Sequence, residues 1–125
     1  MSDLILIVED NDKNMKLARD LLQYHGFATI EATSAEDGLV LAREKRPALV
    51  LMDIQLPGMD GVTALEHLRA DGTTNRIPVV AMTASVMKED RERFDKAGFD
   101  GFITKPIDVR AFPQQVRDHI ARGRA

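Results

Sequence analysis

The sequence predicts an α/β domain: a five-stranded parallel sheet with helices on both faces, for which the common strand order is 2-1-3-4-5. Three observations carry this. Five short apolar runs alternate along the 125-residue chain with five longer amphipathic segments. The runs are almost continuously apolar, as in Leu49-Val50-Leu51-Met52, the signature of strands buried on both faces. Each junction carries turn chemistry, with Gly, Pro, Asn or Asp at the break.

Taken in order, Leu4–Val8 is the first strand. Asn11 or Asp12 caps a helix that runs to about His25 and closes at Gly26. Residues 27–32 supply the second strand. Ser34, with Asp37 three residues on, resembles a capping box and opens a helix that ends before Pro47. Leu49–Asp53 is the third strand, and Asp60-Gly61 starts a helix that stops at Asp71-Gly72. Pro78 opens the fourth strand, Val79–Thr83, a place where proline costs the sheet no hydrogen bond. The fourth helix spans residues 86–97 and ends at Gly98, residues 102–104 form a short fifth strand, and a last helix runs towards Arg122. Pro113 does not suit a helix already begun at Asp108, so its regular part starts at Pro113 after a looser turn over residues 108–112.

Bulk properties narrow the function classes. The length suits one domain with a proper core, and residues 1–125 read as a single module with no output domain. With 17 basic against 20 acidic residues the net charge is -3, which gives no nucleic-acid footprint. There is no Cys, so disulfides, thiolate metal sites and cysteine nucleophiles are excluded. No signal peptide and no run near the roughly 20 apolar residues of a membrane span is present, so a cytoplasmic location is expected. His25, His67 and His119 lack metal-ligand spacing, and Arg117, Arg122 and Arg124 are read as complementing the last helix's dipole.

The chemistry lies at strand ends. In an open parallel sheet, ligands bind beyond the carboxyl ends of the strands where the strand order reverses, here between the first and third. Glu9-Asp10 ends the first strand and Asp53 the third, so their carboxylates converge. Like charges at 4 Å repel by about 4 kcal/mol at an effective dielectric near 20, so either a proton stays or a cation enters. Oxygen donors with no His or Cys nearby favour a hard, hydrated ion, which points to Mg²⁺. Thr83 and Lys105 end the fourth and fifth strands and add a hydroxyl and an ammonium. A carboxylate nucleophile (Asp53), a metal clamp, a lysine clamp and a hydroxyl sensor are the equipment for phosphoryl transfer to a carboxylate.

With Glu9-Asp10, Asp53, Thr83 and Lys105-Pro106 in this order, the chain resembles a response-regulator receiver domain over nearly its whole length, with the flavodoxin- or CheY-like topology that family has. The resemblance implies that a phosphohistidine on a histidine kinase or histidine phosphotransfer protein donates its phosphoryl group to Asp53. It implies Mg²⁺ held by Asp10, Asp53 and the backbone carbonyl of Gln55, with Glu9 acting through a water. It further implies a cis peptide in Thr104-Lys105-Pro106, and a switch in which Thr83 moves towards the phosphoryl group and Phe102 turns inward. The readout is then the surface of the fourth helix, fifth strand and fifth helix, read by a downstream protein target.

Residues 9–17 are similar to single-domain receivers of the DivK type and to receivers fused to hybrid histidine kinases. Met15, Ala18 and Leu22 share the core face of the first helix, and Leu17 lies about 200° from Met15 at roughly 100° per residue. The resemblance makes Leu17, Asn11, Asn14 and Pro106 candidates for partner contact. It also implies a phosphoacceptor rather than an enzyme, a monomer or weak phosphorylation-dependent dimer, and no membrane or nucleic-acid partner.

Two other classes share parts of this equipment. Phosphohydrolases of the haloacid-dehalogenase type also use an aspartyl nucleophile, a hydroxyl, a lysine and Mg²⁺, but carry a second Asp two residues on, where this chain has Gln55. A docking adaptor independent of phosphorylation would keep the fold without needing the full acid–Asp–Thr–Lys set. A flavin carrier fits less well, since no Ser/Thr/Gly-rich phosphate loop follows the first strand.

Overall fold

The computed structural model describes residues 3–84 and 87–123. Strands β1 (Leu4–Val8), β2 (Ala28–Ala32), β3 (Leu49–Asp53), β4 (Val79–Thr83) and β5 (Gly101–Thr104) alternate with helices α1 (Asp12–Tyr24), α2 (Ala35–Lys45), α3 (Gly61–Ala70), α4 (Lys88–Ala97) and α5 (Phe112–Arg122). All four strand pairings are parallel, in the order β2-β1-β3-β4-β5. The predicted fold class is the observed one.

The pleat sorts the apolar runs into two cores. Because successive strand side chains point to opposite faces, Ile5, Ile7, Leu49, Leu51, Val80, Met82 and Ile103 meet Met15, Ala18 and Leu22 of α1 and Phe112 and Val116 of α5. Leu6, Val8, Val50, Met52, Val79 and Ala81 face the other way, onto Ala35 and Ala42 of α2, Ala64, Leu65 and Leu68 of α3, and Phe94 of α4. This is why β3 and β4 are apolar without a break: both of their faces are covered. Helix ends follow local chemistry. The side chains of Asn11, Ser34 and Asp60 accept the backbone N–H of Asn14, Asp37 and Thr63. Gly98 ends α4 at φ 108°, in the left-handed region that a glycine enters without a Cβ clash.

Several boundaries shift. β2 begins at Ala28, one residue later than predicted, and β5 at Gly101, one residue earlier. α4 is regular from Lys88, and the predicted start at Val86 lies outside the described residues. α5 starts at Phe112 with Pro113 in its first turn, and Asp108 closes the preceding turn by accepting the N–H groups of Arg110 and Ala111. Arg117 does not serve the dipole of its own helix. Its guanidinium donates to the carbonyl of His25 at 3.1 Å and lies over the Phe27 ring, tying α5 to the end of α1. Among the described residues, no helix is long and apolar enough to cross a membrane.

Candidate functional site

The carboxyl ends of β1, β3, β4 and β5 lie side by side; β1 delivers two polar groups where its apolar run stops, and each of the others one. Strand parity decides which groups meet. Glu9, Asp53 and Lys105 continue the same alternating rows as Ile7, Leu51 and Ile103, so the three lean to one side of the sheet. Thr83 continues the opposite row through Ala81, the row that Phe102 shares from β5.

Lys105 is the hub. Its Nζ stands 2.7 Å from Glu9 Oε1 and 3.1 Å from Asp53 Oδ2. The other Asp53 oxygen, Oδ1, accepts the backbone N–H of Gln55 at 3.1 Å. Glu9, Asp53 and Thr83 are buried, whereas Asp10 is exposed at the mouth. Burial, and next the neighbouring Asp53, push the Glu9 carboxyl above its ordinary range, with Lys105 offsetting part of the rise. Burial alone would depress the Lys105 ammonium, but the two carboxylates outweigh it and hold the lysine above its usual value. One lysine therefore stands among three acids.

Carboxylate oxygens of Glu9, Asp10 and Asp53 lie within 4.8 Å of one another, a spacing one cation can bridge. The donors are all oxygens, and the residual charge of three carboxylates and one ammonium equals that of a divalent cation with its sign reversed. The set fits a hard divalent ion such as Mg²⁺. Around these groups is a cavity of about 200 Å³, lined also by Asn11, Asn14, Ile54, Gln55, Met82, Thr83 and Ala84.

Helix α3 approaches this strand end unusually closely. Gly61 donates its N–H to the Ile54 carbonyl at 3.2 Å, and a Cβ on Gly61 would stand 2.6 Å from the Asp53 carbonyl oxygen. Only glycine permits that approach. The Lys105–Pro106 peptide is cis.

The remaining sequence candidates are distributed around this centre. Asn11 and Asn14 face the acid cavity, whereas Leu17 lies beyond it on α1, 38% exposed, in an apolar groove with Leu21 and Tyr24. Pro106 is exposed beside the lysine. Phe102 is half-buried, packed at the edge of the α2–α4 core, with the Arg91 guanidinium 4.7 Å from its ring centroid.

Sequence reasoning missed Ile54, Met82 and Ala84 as cavity walls, although each adjoins a predicted site residue. It also missed the part-buried pair of Arg69 and Asp100 at 2.7 Å, in which the same guanidinium donates to the Ile77 carbonyl at 2.7 Å. Nothing in local periodicity marks that pair, since its members are 31 positions apart on separate elements.

A parallel 2-1-3-4-5 sheet with acids, Thr and Lys gathered at its switch point defines a class, and comparison with known sequences agrees. The profile of the response regulator receiver domain matches residues 5–117, and the chain belongs to that family, the receivers of two-component signalling. Within it, the chain is 43% identical over 120 residues to the polar-differentiation response regulator DivK of Brucella anthropi, covering 96% of this chain and 98% of the relative. DivK of Brucella melitensis matches to the same extent. Among solved structures, the receiver domain of a sensor histidine kinase from Pseudomonas aeruginosa superimposes with a TM-score of 0.88 at 28% identity, covering 97% of this chain and 99% of that one. That structure holds a magnesium ion in its active site cleft. The chemotaxis response regulator CheY4 of Vibrio cholerae shares the fold, with a TM-score of 0.90 at 18% identity over 95% of this chain and 99% of that one.

Proposed function

We propose that this receiver accepts a phosphoryl group on Asp53 from a phosphohistidine of a histidine kinase or phosphotransfer protein, and that it signals by contact with a partner protein. The observation that carries the reading is the placement of Asp53: buried at a strand end, with one oxygen on Gln55 N–H, the other on Lys105, and Glu9 and Asp10 alongside. An Asp53 carboxylate oxygen forms the new P–O bond as the donor's N–P bond breaks, and the departing imidazole nitrogen keeps the electron pair and takes up a proton from solvent.

Asp10, Asp53 and the Gln55 carbonyl are the groups that would hold Mg²⁺, with Glu9 reaching it through water. When bound, the ion supplies positive charge against the phosphoryl oxygens. Lys105 then exchanges part of its contact with Asp53 for a phosphoryl oxygen, as a point charge suited to that role. Thr83 donates its hydroxyl to another, and Phe102 turns inward along the same face of the sheet. This local charge change biases a two-state element. The surface of α4, β5 and α5 presents the result to a downstream protein, and the donor docks over Asn11 and Asn14 at the cavity, Pro106 beside the lysine, and Leu17 in the neighbouring groove of α1.

Gln55 stands where a hydrolase of related chemistry has its second acid, so the acyl phosphate persists as a signal instead of turning over. Intact-mass analysis after incubation with acetyl phosphate tests the reading. A Mg²⁺-dependent gain of one phosphoryl group, absent in Asp53→Asn, is expected. Steady phosphate release without an adduct would favour the hydrolase, and neither adduct nor release would favour a docking adaptor.

A further inference from the structure

We propose that Arg91 is a positioning residue for the switch: its guanidinium, stacked on the Phe102 ring, holds that ring in its outward orientation and so sets how readily the site responds to phosphorylation. The inference rests on the reading of Phe102 as the moving aromatic, and adds the group that restrains it. Arg91 lies in the first turn of α4, its backbone N–H donating to the Met87 carbonyl at 3.1 Å. Its guanidinium carbon is 4.7 Å from the Phe102 ring centroid, inside the roughly 6 Å over which a cation is attracted to a ring face.

Two other cations of α4 are engaged within the helix. Lys88 pairs with Glu92, and Arg93 pairs with Asp90 while lying over Phe94. Among the described residues Arg91 enters no ion pair, so its contact with Phe102 competes with no carboxylate. The path for the ring is also visible. Phe102 stands opposite Ala81 in the β4–β5 register, and Thr83 follows two residues further on the same row. Ala81 is the small residue over which a ring moving towards Thr83 passes. Any such movement takes the ring off the guanidinium, so the stack weights only the resting state. A contact made in one of two states shifts the balance by its full strength.

Removing the stack should therefore raise the fraction of the inward conformer. At an exposed site, a contact of this kind corresponds to roughly a two- to fivefold change in equilibrium. The experiment compares the native chain with Arg91→Ala and Arg91→Lys, first without any phosphoryl ligand. Three-bond couplings of Phe102 report its side-chain rotamers, and Arg91→Ala should shift them towards the inward state, with Arg91→Lys between. Titration with beryllofluoride and Mg²⁺, an aspartyl-phosphate analogue, should then show an apparent affinity roughly two- to fivefold tighter for Arg91→Ala. Unchanged rotamers in Arg91→Ala overturn the proposal, whatever Asp53 does. Absence of beryllofluoride binding by the native chain would instead overturn the phosphoacceptor reading, and the rotamer comparison would still decide the role of Arg91.

Discussion

Substituting Asp53 by Asn removes one charge from a cluster whose forces oppose one another. At an effective dielectric near 20, the 3.1 Å contact with Lys105 is worth about 5 kcal/mol. Repulsion from the Glu9 carboxylate within 4.8 Å is worth at least about 3.5 kcal/mol at the same dielectric. Asp10 adds repulsion that water weakens. The Asn variant loses the first and is relieved of the others, so in the absence of metal its stability should lie within about 1–2 kcal/mol of native. That is well below the roughly 3–5 kcal/mol lost when one partner of an isolated buried ion pair is removed. Urea denaturation at low salt measures this, first with chelator and then with Mg²⁺ at ten times its dissociation constant. The native chain should gain about 1.4 kcal/mol from the metal, and the variant much less. A loss above about 3 kcal/mol without metal, or an equal metal gain in both chains, would refute this account of Asp53.

Three further tests probe other parts of the molecule. Arg69→Ala takes the guanidinium from part-buried Asp100, which keeps the Val79 N–H, and should cost about 1.5–3 kcal/mol in chemical denaturation. Burial, and secondarily Arg122, hold the His119 imidazole below its ordinary 6.5, so the unfolded chain takes up that proton more readily. The resulting stability is complete above pH 6.5 and is lost as pH falls from there towards the lower folded value. The drop in stability between pH 7.5 and 5.5 should therefore be smaller in His119→Gln. Lys105→Arg keeps the charge but replaces a point ammonium with a planar fork. A lost charge-assisted bond of about 1.5–3 kcal/mol should weaken apparent beryllofluoride affinity on the order of tenfold or more, and unchanged affinity would count against the lysine's role.

What could be read from the sequence depended on how local its cause was. β3 and β4 match their predicted bounds because each apolar run ends on a polar residue, Asp53 or Thr83, and Pro78 marks where β4 opens. Asn11, Ser34 and Asp60 cap their helices as their chemistry suggests. Convergence of Glu9, Asp10 and Asp53 followed from the common strand order, since a switch point brings those ends together, and Lys105 reaches them across β4 from the edge strand. Contacts between distant elements were different. Arg117 reads as a cation near a helix end, and only the packing of α5 on α1 reveals that it serves the His25 carbonyl. Asn11 and Asn14 share a helix with Leu17, yet face the acid cavity while Leu17 faces a separate groove. The stack of Arg91 on Phe102 likewise depends on how α4 settles against β5, which no pattern within either element encodes.

The tight seat of α3 against the end of β3 divides this site by how much each position tolerates change. Gly61 has no room for even a methyl group, because the obstacle is backbone at Asp53 and Ile54 and not a side chain that can swing aside. Drift at that position would displace the acid itself. Gln55 and Asn14, by contrast, border open cavity and carry no such constraint. Exchange at the rim leaves the backbone that carries Asp53 where it is, whereas Gly61 is a position that must remain empty for Asp53 to stay in place.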